Sequence, residues 1–157
     1  MHIEGSYTFQ GTPETVYALL MDAAVLADCL PGCQQLVLTS DGSYDMKMKV
    51  SLAALSGDFT GKVVMDGLDP PFGYRLRVEG AGRIGFLNGQ GELRLSILEA
   101  GATLVSYTGE VQTGGTIAAV GQRLVDTTAR MLIRRFFEKL NAHLQQDLSH
   151  QHRQTGA

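Results

Sequence analysis

The chain has 157 residues, 44% of them apolar and 18% charged, with a net charge of −3 at neutral pH. That length suits one domain with its own core, and the apolar content excludes a disordered chain. A weakly acidic balance leaves no nucleic-acid footprint, and no run of 18 apolar residues offers a membrane span.

The opening "MHIEGSYTF" has no basic start followed by an apolar run, so no secretory leader is expected and the expected address is the cytoplasm. Within it Ile3, Gly5, Tyr7 and Phe9 alternate with Glu4, Ser6 and Thr8, the pattern of a half-buried strand. In "GTPETVYALLMD", Thr12 suits an N-cap and Pro13 the first helical position. Thr15 stands where a capping box would want Glu or Gln. Val16, Leu19 and Leu20 then mark a short amphipathic helix, and "DAAVLADCL" reads as a second one stopped by Pro31-Gly32.

Strands follow. "QQLVLTS" and "SYDMKMKVSL" flank Asp41-Gly42, a hairpin dipeptide. Tyr44, Met46, Met48, Val50 and Leu52 share one face of the second strand, and Asp45, Lys47, Lys49 and Ser51 the other. "GDFTGKVVMDGL", "YRLRVEG", "GELRLSIL" and "ATLVSYTGEV" continue the alternation. From Thr116 the period becomes helical, with Ile117, Val120, Leu124, Thr127, Met131 and Phe136 on one stripe. Read to its end this helix reaches about His143, roughly 28 residues. The polar remainder, "QQDLSHQHRQTGA", is expected to fray, giving one domain over residues 1–145 and a tail over 146–157. The order is a strand, two short helices, about six antiparallel strands and one long C-terminal helix. Each strand has one wet face, so the dry faces need a cover, and the last helix is the only large one.

Few motifs point to chemistry. Cys29 and Cys33 bracket Pro31-Gly32, but no second ligand pair exists, and the histidines (2, 143, 150, 152) lie near the chain ends. Structural zinc wants four ligands and thioredoxin-like chemistry wants C-x-x-C at a helix start, so a turn with two inward sulfurs is the better reading. "GAGRIG" (80–85) matches the dinucleotide fingerprint literally, but a strand follows it rather than the helix that would hold a pyrophosphate. It reads as a mobile glycine-rich hairpin connection whose Ile84, Phe86 and Leu87 either close a cavity mouth or tuck into the core. Asp126 and Arg130 read as an i,i+4 ion pair, and Asp45, Glu79, Glu92 and Glu110 fall on wet faces, so no catalytic residue is nominated.

The methionines are more informative. Met46, Met48 and Met65 on dry strand faces, with Met131 on the helix stripe, suit an adaptable apolar surface. Gly61, Gly80, Gly91 and Gly109 let a sheet bend and leave room beneath it.

Four stretches, in order, carry a family resemblance: "CLPGC" (29–33), "GLDPPFGYRL" (67–76), "GAGRIGFLNGQGEL" (80–93) and "GGTIAAVGQRLVDTTARML" (114–132). The chain resembles the carbon monoxide dehydrogenase G-subunit family of the START-like (SRPBCC, polyketide cyclase) superfamily, over residues 1 to about 142. The resemblance implies an α+β helix-grip fold: a seven-stranded antiparallel sheet curled around a long C-terminal helix, with a cavity between. It also implies an accessory protein of a molybdenum-containing carbon monoxide dehydrogenase or related hydroxylase, not a catalytic component. Superfamily relatives bind lipids, sterols and polyketides, and a minority act on them. Family members can carry a C-terminal membrane tether; the tail here has no apolar stretch, so at most peripheral contact with the inner membrane face is expected.

The expected function is therefore a non-enzymatic carrier of an apolar, lipid- or quinone-like molecule, with no cofactor and no metal. Met46, Met48, Phe59, Val63, Leu76, Val78, Leu95, Tyr107, Leu124 and Met131 would line the cavity, and Phe86 and Leu87 would gate it. Two alternatives stand beside this. One is an enzyme on an apolar substrate, with Tyr74 or Tyr107 as its acid. The other is a docking module for a hydroxylase through Lys47, Lys49, Arg75 and Arg77.

Overall fold

Strand β1 (His2–Phe9) leads into helices α1 (Pro13–Leu20) and α2 (Ala23–Cys29). Strands β2 (Cys33–Leu38), β3 (Tyr44–Val50), β4 (Gly57–Asp69), β5 (Gly73–Gly82), β6 (Gly85–Ile97) and β7 (Thr103–Gly114) follow, then helices α3 (Thr116–Ala119) and α4 (Gln122–Thr155). This computed structural model describes residues 1–51 and 56–155, without the side chains of 150–155; Leu52, assigned above to a dry strand face, lies outside the described residues. The strands form one antiparallel sheet in the order β1-β7-β6-β5-β4-β3-β2, so the first strand closes beside the last.

The local signals act as their chemistry requires. Thr12 caps α1 by accepting from the Thr15 amide at 3.3 Å, and Asp22 caps α2 by accepting from Ala24 and Val25. In the β2–β3 turn the Asp41 carboxylate accepts from the Ser43 amide and the Ser43 and Thr39 hydroxyls, which holds its pKa well below the usual carboxylate range.

Gly32 of the "LPGC" turn sits at φ +75°, where an L side chain is strained, and a Cβ there would collide with the Lys49 carbonyl oxygen. Its own carbonyl accepts from the Lys49 amide at 2.8 Å, which docks the turn on the end of β3. Gly32→Ala is expected to lower stability by about 3 kcal/mol, adding left-handed strain to a backbone clash. A urea midpoint within about 0.5 kcal/mol of wild type would refute that expectation.

The main core lies between the C-terminal half of α4, helices α1 and α2, and one end of the sheet. Phe9, Val16, Leu20, Cys29, Val105, Leu140 and Leu144 are fully buried in it. A second, smaller cluster joins Ile117 and Val125 to Met1, Phe59, Ile84 and Val120 at the other end of α4.

Two elements depart from the sequence expectation. The long helix is not continuous from Thr116: Gly121, at φ +99°, separates α3 from α4. This break resets the helical phase, so the buried stripe of α4 is Val125, Thr128, Phe137, Leu140 and Leu144, one position on from the expected one. Helix α4 also runs to Thr155, with Leu148 packed against the core, well past the expected end near His143. The expected loose connection at 80–85 is instead strand on both sides of a two-residue turn, with Gly82 paired to Gly85 around Arg83 and Ile84.

Candidate functional site

Register decides which side chains can share a site. Reading across the sheet, Met46 of β3 faces Gly61 of β4, then Gly80 of β5 and Leu87 of β6. The next row is Tyr44, Val63, Val78, Gly89 and Val111, and a third runs Met65, Leu76, Gly91, Gly109 and Ile3. Side chains alternate across a strand, so these rows look to one side of the sheet, the side that carries the core.

Of the expected lining, Met46, Val63 and Leu95 are buried, while Met48, Phe59, Leu76, Val78, Leu87, Tyr107 and Met131 are half-buried. They do not form one packed mass. Leu95 belongs to the main cluster, Leu76 and Tyr107 pack against it, and Phe59 packs against the smaller one. Met46, Met48, Val63, Val78 and Leu87 belong to neither. Beside them Gly80 and Gly89 have room for a Cβ, whereas one at Gly61 or Gly91 would collide with a carbonyl oxygen of the neighbouring strand. A Cβ added at Gly80 would meet nothing nearer than 4.0 Å, and one at Gly89 nothing nearer than 3.8 Å. The inner face thus carries an apolar, glycine-floored stretch between two packed clusters.

Two expected residues fall elsewhere. Phe86 pairs with Ala81 and Gly114 on the opposite face and is 45% exposed. Consecutive strand residues point to opposite sides, so Phe86 and Leu87 cannot gate one mouth together. Leu124 is 38% exposed, because the break at Gly121 turns it away from the sheet. Phe86 instead borders an outer-face groove of ≈ 770 Å³, whose walls include Val37, Lys47, Thr60, Lys62 and Glu79, and a second of ≈ 470 Å³ that reaches Met1 and Val125. The outer face, which also carries Lys47, Lys49 and Arg77, is of mixed charge: Arg75 pairs with Asp66 at 3.1 Å and Lys62 with Asp41 at 3.4 Å.

The Asp126–Arg130 pair forms at 3.0 Å, and Arg130 Nη1 also donates to the Glu4 carbonyl at 3.1 Å, tying α4 to β1. Near the other end of α4, His143 Nε2 meets Asp28 of α2 at 2.5 Å. Among the described residues no group of three or more His, Cys, Asp or Glu could hold a metal ion. Both cysteines are free thiols. Burial pushes the Cys29 pKa up to about 11, with the Asp28 charge adding to it, and burial also raises that of Cys33. Iodoacetamide at pH 8 is expected to alkylate half-buried Cys33 well before Cys29; equal rates would show that α2 opens readily. No helix among the described residues is long and apolar enough to cross a membrane.

Of the two inward tyrosines that could serve as acids, Tyr74 is the more deeply buried. Burial, with Tyr17 beside it, raises the Tyr74 phenol far above its usual range, so it holds its proton tightly. Sequence reasoning missed Tyr17 and Gly89. Tyr17 lies next to the named α1 stripe of Val16, Leu19 and Leu20, and Gly89 stands on the inner-face alternation of β6, but neither position by itself signals a site.

Comparison with known proteins agrees with this architecture. A conserved protein from Geobacillus kaustophilus superposes with a TM-score of 0.91 at 32% identity, covering 93% of this chain and 96% of that one. The Zhui aromatase/cyclase from Streptomyces sp. R1128 shares the fold at a TM-score of 0.71 and 16% identity, covering 94% and 95%. A START superfamily protein from Mycobacterium smegmatis does so at 0.67 and 14%, covering 92% and 97%. None of the curated proteins matches significantly. Residues 5–145 match the model of the carbon monoxide dehydrogenase G-subunit (CoxG) family. With that match across most of its length, on a START-like sheet curled over one long helix, the chain belongs to the CoxG family of carbon monoxide dehydrogenase proteins.

Proposed function

We propose that the chain is a non-enzymatic accessory protein that carries an apolar, lipid- or quinone-like small molecule between the inner sheet face and α4. It would serve a molybdenum-containing carbon monoxide dehydrogenase or a related hydroxylase, in the cytoplasm and at most peripherally at the membrane. The supporting observation is the inner-face stretch of Met46, Met48, Val63, Val78 and Leu87, which belongs to neither packed cluster and lies beside Gly80 and Gly89, two positions where an added Cβ would meet only ordinary contacts. Burying an apolar ligand there would contribute about 25 cal/mol per Å² before the cost of association. The family membership supports the choice of partner system.

The test is native mass spectrometry of detergent-free protein, with organic extraction of what is bound. A discrete co-purifying lipid or quinone would support the carrier. A clean ligand-free mass, together with failure to take up any neutral apolar probe, would sink it.

A further inference from the structure

The inner-face side chains of β5 form a line: Val78, Leu76, Tyr74. That line ends against α1, where Tyr17 meets Tyr74 edge to face with ring centroids 6.1 Å apart. Tyr17 is 7% exposed and Tyr74 3%. The Tyr17 hydroxyl is buried with no hydrogen-bond partner. The Tyr74 hydroxyl makes no hydrogen bond among the described residues, but unlike that of Tyr17 it is not fully enclosed. Buried tyrosine hydroxyls normally find partners, and leaving one unpaired costs about 1–3 kcal/mol. One such hydroxyl on Tyr17, facing the Tyr74 phenol at the end of one apolar line, marks a place built for something the protein itself does not supply.

We propose that Tyr17 and Tyr74 form a two-donor clamp for a neutral oxygen acceptor, a ketone- or ester-type carbonyl, at the leading end of an otherwise apolar ligand. The chemistry selects that class. Burial raises both phenols, and the Asp69 carboxylate raises Tyr17 further, so both remain protonated and each has one O–H to donate to an acceptor. The same burial and the same carboxylate disfavour an anionic headgroup. A carbonyl oxygen has two lone pairs and can accept from both hydroxyls. A hydrocarbon would leave both unpaired.

The inference rests on the carrier reading and deepens it by naming the polar end of the cargo. The experiment is displacement of the neutral fluorescent probe N-phenyl-1-naphthylamine from the full chain by 2-undecanone and by undecane. The ketone is expected to bind about tenfold more tightly than the hydrocarbon, the worth of one to two neutral hydrogen bonds. Tyr17→Phe and Tyr74→Phe should each shrink that preference and the double variant abolish it, with undecane affinity unchanged. Ligand-free Tyr17→Phe should melt at or above the wild-type temperature, since it loses a buried unpaired hydroxyl, and Tyr74→Phe should melt close to wild type, since it loses no hydrogen bond within the protein. Wild type without a ketone preference, or a preference that survives in the double variant, overturns the clamp while leaving the carrier standing. So does a marked fall in melting temperature, which would show that the hydroxyls have structural partners. No probe uptake at all overturns the carrier reading and the clamp with it.

Discussion

Phe137→Ala is expected to lower stability by about 4 kcal/mol, the largest loss foreseen for any single side chain in this fold. Phe137 is 4% exposed on α4 and stands at the hub of an aromatic cluster. Its ring centroid lies 5.6 Å from Tyr7, 5.9 Å from Phe9, 5.7 Å from Tyr107 and 5.4 Å from Phe136. Three of these partners sit on β1 and β7, the strands that bring the two ends of the sheet's chain order together. Truncation therefore removes both the transfer energy of the ring and the contacts that hold α4 to the sheet, and the cavity left behind cannot collapse while four rings frame it. Phe137→Leu keeps most of the volume and should cost about 1.5 kcal/mol or less. Urea unfolding of both variants checks this. Two nearly equal midpoints would mean that α4 is held mainly by its polar ties, Arg130 to β1 and His143 to α2.

The strand faces are legible in the sequence because alternation is a local property. Met46 against Asp45, Leu76 against Arg75 and Leu95 against Arg94 all fall on the sides that a period of two predicts. The two short helices and the turn after them are legible for the same reason, since Thr12, Pro13, Asp22 and Gly32 act through neighbours a few residues away. The site is less legible. Placing Leu124 on the dry stripe requires one unbroken helix from Thr116, and a single glycine at φ +99° shifts every later position. Pairing Phe86 with Leu87 treats a glycine-rich stretch as a loop, where adjacent residues can act together. The β5–β6 register makes it a strand, where they cannot. Which hydroxyls find partners is a long-range fact. Tyr17 and Tyr74 are 57 positions apart, and nothing local to either says that they meet.

Val78→Trp provides the sharpest check of whether the inner face is a cavity or merely a loosely packed core. Val78 is half-buried, with Val63 on one side in register and Gly89 on the other. If open space lies over Gly80 and Gly89, the indole enters it, the variant stays within about 1 kcal/mol of wild type, and probe uptake falls more than about tenfold. If no space exists, the larger ring must displace its neighbours, and stability drops by about 1–3 kcal/mol with no binding to lose. Phe86→Ala is the matched control. It removes a ring from a strand whose next residue faces the inner side, but from the opposite side of the sheet, so uptake should not change. A loss of uptake in Phe86→Ala equal to that in Val78→Trp would move the binding site to the outer groove bordered by Val37, Lys47, Lys62 and Phe86. Because the two residues differ in which face they occupy, the pair of variants reads out the side of the sheet on which an apolar molecule binds, independently of what that molecule is.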